Sequence, residues 1–237
     1  MRPVYTTRRR VGLKGRAPAG RKTGTNDESV GLGSGDRRPS ELSGRTVTVE
    51  PDKTVLVVVD VQNGLVGSRS RHVVPVIVDL VRRWQARGGA TIFSRYLNYP
   101  GSPYERLIGW TRMHDAPETD LVTELQQYAA KAVAVVDKTI YSLFSDHGAG
   151  VLAGGGWTDL LICGIATESC VCKTAVDAFE RDLTPWVLVD ACASHAGTVT
   201  HEAGLVVISR FIGKRQLITT SDLPLRGLPT LASGSAG

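Results

Sequence analysis

Residues 54–60 read TVLVVVD, and this apolar, mostly β-branched run decides the class of fold. A strand with one face in water alternates apolar and polar residues, whereas a continuous apolar run is typical of a strand buried on both faces of a parallel sheet. The run ends in Asp60. Burial of a carboxylate costs free energy unless it has a partner, so Asp60 has two interpretations, a catalytic group or a cap for the following loop or helix.

Helical and strand patterns alternate after this run. Residues 72–87 place apolar side chains on one helical face, and Gly88-Gly89 ends that helix. Further helices are predicted near 119–130, 168–181 and 201–211, and further strands at 90–95, 132–136, 157–163, 185–189 and 215–219. Such alternation implies βαβ crossovers. The sequence therefore predicts an α/β fold with three layers, α/β/α, around a six-stranded, mainly parallel sheet.

The two ends of the chain differ from the middle. Residues 1–45 contain eleven Lys/Arg and four Asp/Glu and lack hydrophobic periodicity, which predicts a disordered basic N-terminal extension. Residues 46–222 form the predicted folded domain, and 223–237 a loose C-terminal tail. The basic extension has a second interpretation as a nucleic-acid-binding arm. It has almost no aromatic residues to stack on bases, so nucleic acid is not the expected partner.

The composition of the remaining chain limits the other classes. Residues 46–237 carry seventeen Lys/Arg and nineteen Asp/Glu, so the net charge of +5 belongs to the extension. No stretch approaches the roughly 18 apolar residues of a membrane span, and no signal peptide is apparent. The four cysteines form no C-x-x-C pair, which disfavours a zinc site. We therefore expect a cytoplasmic protein with free thiols and no membrane partner.

Three reactive side chains follow strands at one edge of the predicted sheet, where open α/β sheets bind ligands. Asp60 ends the first strand, Lys138 ends the third in VVDKTIYS, and Cys170 follows the fourth in CGIATESCV. Thr167 is the expected N-cap of the next helix, which puts Cys170 in a first turn that stabilises thiolates. Alone, the lysine suits a surface position and any cysteine a small buried hydrophobe. The latter is our interpretation of Cys163, Cys172 and Cys192.

Together these stretches resemble the isochorismatase-like hydrolase superfamily, the cysteine hydrolases. The matching segments are VLVVVDVQNG (55–64), VVDKTIYSLFS (135–145), LLICGIATESCVCKTAVDAF (160–179) and VLVDACASHAG (187–197). The resemblance implies strand order 3-2-1-4-5-6 and a catalytic triad of Asp60, Lys138 and Cys170. It also implies a cis peptide between Ile165 and Ala166, which would aim the N–H groups of Ala166 and Cys170 at one point as an oxyanion hole.

The chain departs from the nicotinamidase branch of this family. That branch binds a metal through Asp-x-His after its second strand, where Arg95, Tyr96 and Leu97 stand in this chain. None of the five histidines has metal-ligand spacing near this place. We therefore expect no catalytic metal and no cofactor.

A full triad with cysteine fits hydrolysis of a C–N bond in a small amide, carbamoyl, ureido or lactam substrate through a thioester intermediate. Lactam opening of the streptothricin-hydrolase type is one possibility. One alternative is an isochorismatase-type vinyl-ether hydrolase, which uses Asp60 without the thiol, and another is a non-catalytic interaction subunit. The resemblance also implies a homo-oligomer, a dimer or a tetramer.

The loops after the strands supply the expected substrate contacts. Arg95 has two interpretations, as a ligand of a substrate carboxylate or as the partner of an internal acid. Tyr141 and Phe144 suit the hydrophobic core as well as the wall of the pocket. The 96–112 loop, with Tyr104 and Trp110, offers further candidates. The predicted substrate-binding residues are Gln62, Asn63, Leu65, Arg95, Tyr141, Phe144 and Thr167.

Overall fold

A computed structural model describes Val47 and residues 49–225. The predictions for residues 1–45 and for the tail from residue 226 onward lie outside this part of the chain. The strands are β1 Thr54–Val59, β2 Ala90–Tyr96, β3 Ala134–Lys138, β4 Asp159–Ile165, β5 Thr184–Ala193 and β6 Leu217–Ile218. The α-helices are α1 Val74–Gln85, α2 Thr123–Ala129, α3 Asp146–Gly155, α4 Cys172–Phe179 and α5 Thr198–Ile212.

All strand pairings in the sheet are parallel, and the strand order is β3-β2-β1-β4-β5-β6. The predicted α/β/α fold and its order are thereby confirmed. β1 lies between β2 and β4, and all six of its residues are buried, as its continuous apolar run requires. The predicted apolar face of α1 is buried, including Ile77, Leu80 and Trp84.

Helix α3 was not predicted from the sequence. Its residues read DHGAGVLAGG, and four glycines give it a low helix propensity and a weak apolar face. The helix begins after Ser145, whose hydroxyl accepts a hydrogen bond from the Gly148 N–H at 3.2 Å, and this cap offsets part of the cost.

The folded part of the chain continues past the predicted boundary at residue 222. Leu223 and Leu225, expected in a loose tail, are buried in the main hydrophobic core. Among residues 49–225, no helix combines the length and the apolar composition that a membrane crossing requires.

Candidate active site

The three strand-end residues meet at the carboxyl edge of the sheet. Asp60 follows β1, and its Oδ1 accepts a hydrogen bond from the Ser94 hydroxyl at 2.6 Å. Its Oδ2 accepts from Lys138 Nζ at 2.7 Å. Both carboxylate oxygens are therefore paired, as burial of a charge demands.

Lys138 is the last residue of β3, and its ammonium group is enclosed by acceptors. Besides Asp60, Nζ donates to the carbonyls of Ile140 and Tyr141 at 3.0 Å each. It also lies 3.7 Å from Cys170 Sγ. Burial lowers the pKa of Lys138, but attraction to Asp60 and Cys170 outweighs that effect and raises the pKa above its ordinary value. The lysine is therefore a fixed positive charge between the carboxylate and the thiol.

Cys170 lies on a π-helical turn, Thr167–Val171, that joins β4 to α4. The side chain is almost completely buried, and its Sγ lies 3.7 Å from Lys138 Nζ, which itself donates to the Asp60 carboxylate. Burial first, and then the Asp60 charge, raise the pKa of the Cys170 thiol well above its ordinary value, and Lys138 offsets this only in part. The resting group is thus a neutral thiol beside a carboxylate, which is the arrangement of a nucleophile and its base.

The backbone before this turn provides a hydrogen-bond donor. The peptide bond between Ile165 and Ala166 is cis. The Ala166 carbonyl accepts from Ser169 and Val171 at 3.1 Å each, whereas its N–H donates to no other atom of the described part of the chain. Gly164 allows this strand end to approach β1, because a Cβ there would lie 2.1 Å from the Val59 carbonyl oxygen.

The π-helical turn is tied to α5 and to the end of β5. The prediction of Thr167 as the N-cap is wrong, because Ala166 occupies the N-cap position. The Thr167 hydroxyl instead pairs with His201 Nδ1 at 2.7 Å. Glu168 Oε1 accepts from the Ser194 hydroxyl at 2.8 Å. Gly204 of α5 packs directly on the turn, since a Cβ there would lie 2.9 Å from both Cα and N of Glu168. These contacts fix the backbone that carries Cys170.

A narrow cavity lies over Cys170. Its volume is about 20 Å³, which holds about one water molecule. The wall is mostly aromatic, and the rings of Tyr96 and Tyr104 meet edge to face with centroids 4.9 Å apart. The lining residues are Leu65, Tyr96, Tyr104, Trp110, Tyr141, Ala166, Ser169, Cys170 and His195.

Asn98 fixes the loop that supplies much of this wall. Its Oδ1 accepts from the Tyr96 and Ser102 hydroxyls at 3.2 and 2.6 Å. Its Nδ2 donates to the carbonyls of Trp110 and Arg112 at 3.0 Å each. One buried amide therefore joins both ends of the loop beside the cavity, and this role of Asn98 was not predicted.

Only part of the predicted substrate-binding set lies at this cavity. Leu65 and Tyr141 line it, as do Tyr104 and Trp110 from the 96–112 loop. Asn63 lies in a neighbouring cleft and donates to the Pro117 carbonyl at 3.0 Å.

The other predicted substrate contacts are engaged elsewhere. Gln62 is completely buried and bonds the backbone of Tyr96 and Thr119, so its amide is used up in joining loops. Arg95 is paired with Asp137 through two hydrogen bonds of 2.7 and 2.8 Å, which matches its second interpretation. Phe144 packs against the core and lies under the Arg181 guanidinium.

Thr167 is fully buried beside His201 and does not line the cavity. Tyr96, the first residue of the predicted 96–112 loop, also lines the cavity. Two cavity residues were missed from the sequence, namely Ser169 and His195. His195 lies just beyond the end of β5, so the reasoning that selected Lys138 would also have found it.

Within the described part of the chain, no three His, Cys, Asp or Glu side chains form a group that could hold a metal ion. Arg95, Tyr96 and Leu97 stand at the end of β2, where the sequence comparison with the nicotinamidase branch would require the metal ligands Asp-x-His. Arg95 is held by Asp137 and Tyr96 by Asn98. The chemistry available at this site is that of the thiol, the carboxylate, the ammonium and the backbone N–H.

Comparison with known proteins gives one consistent family. The model of the Isochorismatase domain matches residues 54–220, which is more than half of the chain. Ureidoacrylate amidohydrolase RutB of Pseudomonas savastanoi pv. phaseolicola is 30% identical over 199 residues, which are 70% of this chain and 80% of that relative. Bovine isochorismatase domain-containing protein 2 is 35% identical over 63 residues, but these span only 27% of this chain and 29% of the bovine protein.

The fold is shared with a solved amidase structure. N-carbamoylsarcosine amidase from Thermoplasma acidophilum superposes with a TM-score of 0.61 and 22% sequence identity, over 72% of this chain and 96% of that one. At this level of identity the likeness shows a common fold.

Proposed function

The chain belongs to the isochorismatase family of hydrolases, and from that premise we propose that it is a metal-independent cysteine hydrolase. Its proposed substrate is a small amide, carbamoyl, ureido or lactam compound, in which it cleaves a C–N bond. The observation that carries the proposal is the 3.7 Å contact of the Cys170 thiol with Lys138, the buried partner of Asp60, beneath a cavity lined by Ala166.

The first step is attack on the substrate carbonyl. Asp60 accepts the thiol proton as the sulfur of Cys170 bonds to the carbonyl carbon, so no free thiolate has to form beforehand. Lys138 stabilises the negative charge that moves between oxygen and sulfur. The unpaired N–H of Ala166, with that of Cys170, donates to the developing oxyanion, and one such donor typically contributes a factor of about 10²–10³ in rate.

The second step releases the amine, and the third releases the acid. Asp60 returns its proton to the departing nitrogen as the C–N bond breaks, which leaves a thioester on Cys170. Asp60 then accepts a proton from water, whose oxygen attacks the thioester carbonyl. The acid departs, and the proton returns to the sulfur of Cys170, so that the starting state is restored.

The relatives support the choice of bond. One is named a ureidoacrylate amidohydrolase and another an N-carbamoylsarcosine amidase, and both names describe the hydrolysis of a C–N bond. The vinyl-ether alternative would use Asp60 without a thiol, and no feature of the cavity favours it. The homo-oligomer implied by the family stays a prediction.

The experiment is a hydrolysis screen of amides, carbamoyl amino acids and lactams with intact-mass analysis of the stalled reaction. We expect an acyl adduct on Cys170, a loss of at least about 10³-fold in Cys170→Ala, and no change after treatment with a chelator. Cys172→Ala is the matched control, since this half-buried thiol lies two residues away on α4. Full activity of Cys170→Ala would refute the thioester mechanism, and chelator-sensitive activity would refute metal independence.

A further inference from the structure

The cavity over Cys170 is smaller than any substrate of the proposed class. Its volume of about 20 Å³ holds roughly the carbonyl group under attack. The rest of a substrate has to extend beyond it. In the part of the chain that the structure describes, two larger clefts share lining residues with this cavity, and their chemistry differs.

The first of these clefts, here named the apolar groove, has a volume of about 470 Å³. It shares Tyr104 and Tyr141 with the catalytic cavity, and the edge-to-face contact of these rings, 5.0 Å between centroids, forms the partition. Its outer wall carries Leu107, Ile108 and Ile140, all of them exposed. Exposed apolar side chains gathered in one concave surface mark a binding site rather than a random surface.

The apolar groove has no net charge to attract an ionic group. Its only charged lining residues, among those the structure describes, are Lys173 and Asp177, and they form an ion pair with each other. The groove therefore suits a neutral apolar substituent rather than a carboxylate or an ammonium group.

The second cleft, here named the polar cleft, has a volume of about 490 Å³. It is reached past Leu65, Trp110 and His195, and it is lined further by Asn63 and Arg112. The two clefts share no described lining residue, so the apolar and polar parts of one substrate would be directed to different clefts beside Cys170.

Resting on the proposed function, we infer that the apolar groove is a substrate subsite for an uncharged alkyl or aryl substituent of the amide. The Tyr104–Tyr141 pair separates this substituent from the carbonyl group held over Cys170. The enzyme is therefore selective for amides that carry an extended apolar group, and the polar cleft takes the remaining polar part.

The test measures binding without catalysis. N-hexylacetamide and N-methylacetamide are titrated by calorimetry into the full-length Cys170→Ala variant, in which no thioester can form. Each methylene removed from water favours binding by a factor of about four, so burial of part of the chain predicts at least a tenfold tighter Kd for the hexyl compound. Leu107→Gln and Ile140→Gln, added singly to Cys170→Ala, are expected to remove most of this difference.

The matched control is Val206→Gln, an exposed apolar residue of α5 outside the groove, with 64% exposure against 78% for Leu107. It should leave both dissociation constants unchanged. Equal affinity for the two amides, or a hexyl preference that survives both groove substitutions, would overturn the subsite. A third result would also overturn the subsite: Leu107→Gln dissociates an oligomer of this chain but leaves the Kd for N-hexylacetamide unchanged. The apolar groove would then be an interface between subunits. The acyl adduct on Cys170 is measured by intact mass and does not depend on these titrations. A negative binding result therefore refutes the subsite without refuting the proposed hydrolase, and absence of the adduct refutes the hydrolase without refuting the subsite.

Discussion

Lys138 and Asp60 form an ion pair that is completely enclosed by the protein. The Nζ and Oδ2 atoms are 2.7 Å apart, and neither side chain has any exposed surface. An enclosed pair of this kind tolerates the loss of one partner poorly, because the remaining charge keeps its full cost of desolvation.

Lys138→Met keeps an unbranched apolar side chain in place of the lysine stem and removes the ammonium group. It leaves the Asp60 carboxylate without its positive partner, with only the Ser94 hydrogen bond remaining, and it also frees two carbonyls that had accepted from the lysine. The free energy of unfolding should fall by about 3–5 kcal/mol, measured by urea denaturation. Arg95→Met breaks the partly exposed pair with Asp137 and should cost at most about 1 kcal/mol. Equal stability of the two variants would contradict the structural importance of the buried pair.

The Cys170 thiol should respond to removal of Asp60 in opposite ways in two assays. Burial, and then the Asp60 charge, raise the pKa of Cys170, while Lys138 lowers it. Asp60→Asn deletes a raising contribution and keeps Lys138, so the thiolate fraction at pH 8 increases. Alkylation of Cys170 by iodoacetamide should therefore become faster, while hydrolysis is lost with its proton acceptor.

The wild-type alkylation rate provides the reference for that variant. It should still be rising at pH 9.5, whereas an ordinary thiol levels off above its pKa of about 8.5. Peptide mapping in a Cys172→Ala background assigns the label. A wild-type inflection near pH 7 would mean that the thiolate already exists at rest.

The strand-end residues were predictable because they depend on local patterns and one geometric rule. An apolar run that stops at Asp60, and a strand that stops at Lys138, put both groups at the carboxyl edge of a parallel sheet whatever the loops do. The Ser94 contact to Asp60 was not predictable in this way. It requires the register of β1 against β2, in which Val59 pairs with Ser94.

The substrate-binding residues were harder to predict because a loop side chain has several partners within reach. Gln62 is polar and follows a strand, yet neighbouring backbone groups of Tyr96 and Thr119 take all of its bonds. Thr167 has the residue type of an N-cap, but a π-helical turn and a histidine from α5 redirect its hydroxyl. Thr167 and His201 are 34 residues apart in the sequence, so no local pattern indicates that the Thr167 hydroxyl bonds to His201.

Gly204→Ala should impair the site from a distance. The added methyl group would lie 2.9 Å from the backbone of Glu168, so the turn that carries Cys170 has to move. Overpacking of this kind costs roughly 1–3 kcal/mol, and displacement of the nucleophile should lower kcat more than it raises KM. Steady-state kinetics and urea denaturation measure both effects.

The control for that prediction is Gly150→Ala in α3. A Cβ there meets nothing within 4 Å, and alanine in a helix is favoured over glycine by about 0.5–1 kcal/mol. This variant should therefore be slightly more stable and equally active. An active, stable Gly204→Ala would show that α5 does not hold the turn.

His201 should make stability fall on mild acidification. Burial lowers the pKa of His201 below its ordinary value, and Glu168 and Glu202 counter this only partly. The unfolded chain, with a histidine pKa of about 6.5, then binds a proton that the folded protein lacks between the two pKa values. The contribution of the neutral His201 to the free energy of unfolding is fully present above about pH 6.5. It decreases as the pH falls towards the folded-state pKa. Urea midpoints at pH 7.5 and 5.5 should differ less in His201→Gln than in wild type or in His147→Gln, an exposed histidine of α3. If all three proteins lose the same stability, His201 is not held neutral against the turn that carries Cys170.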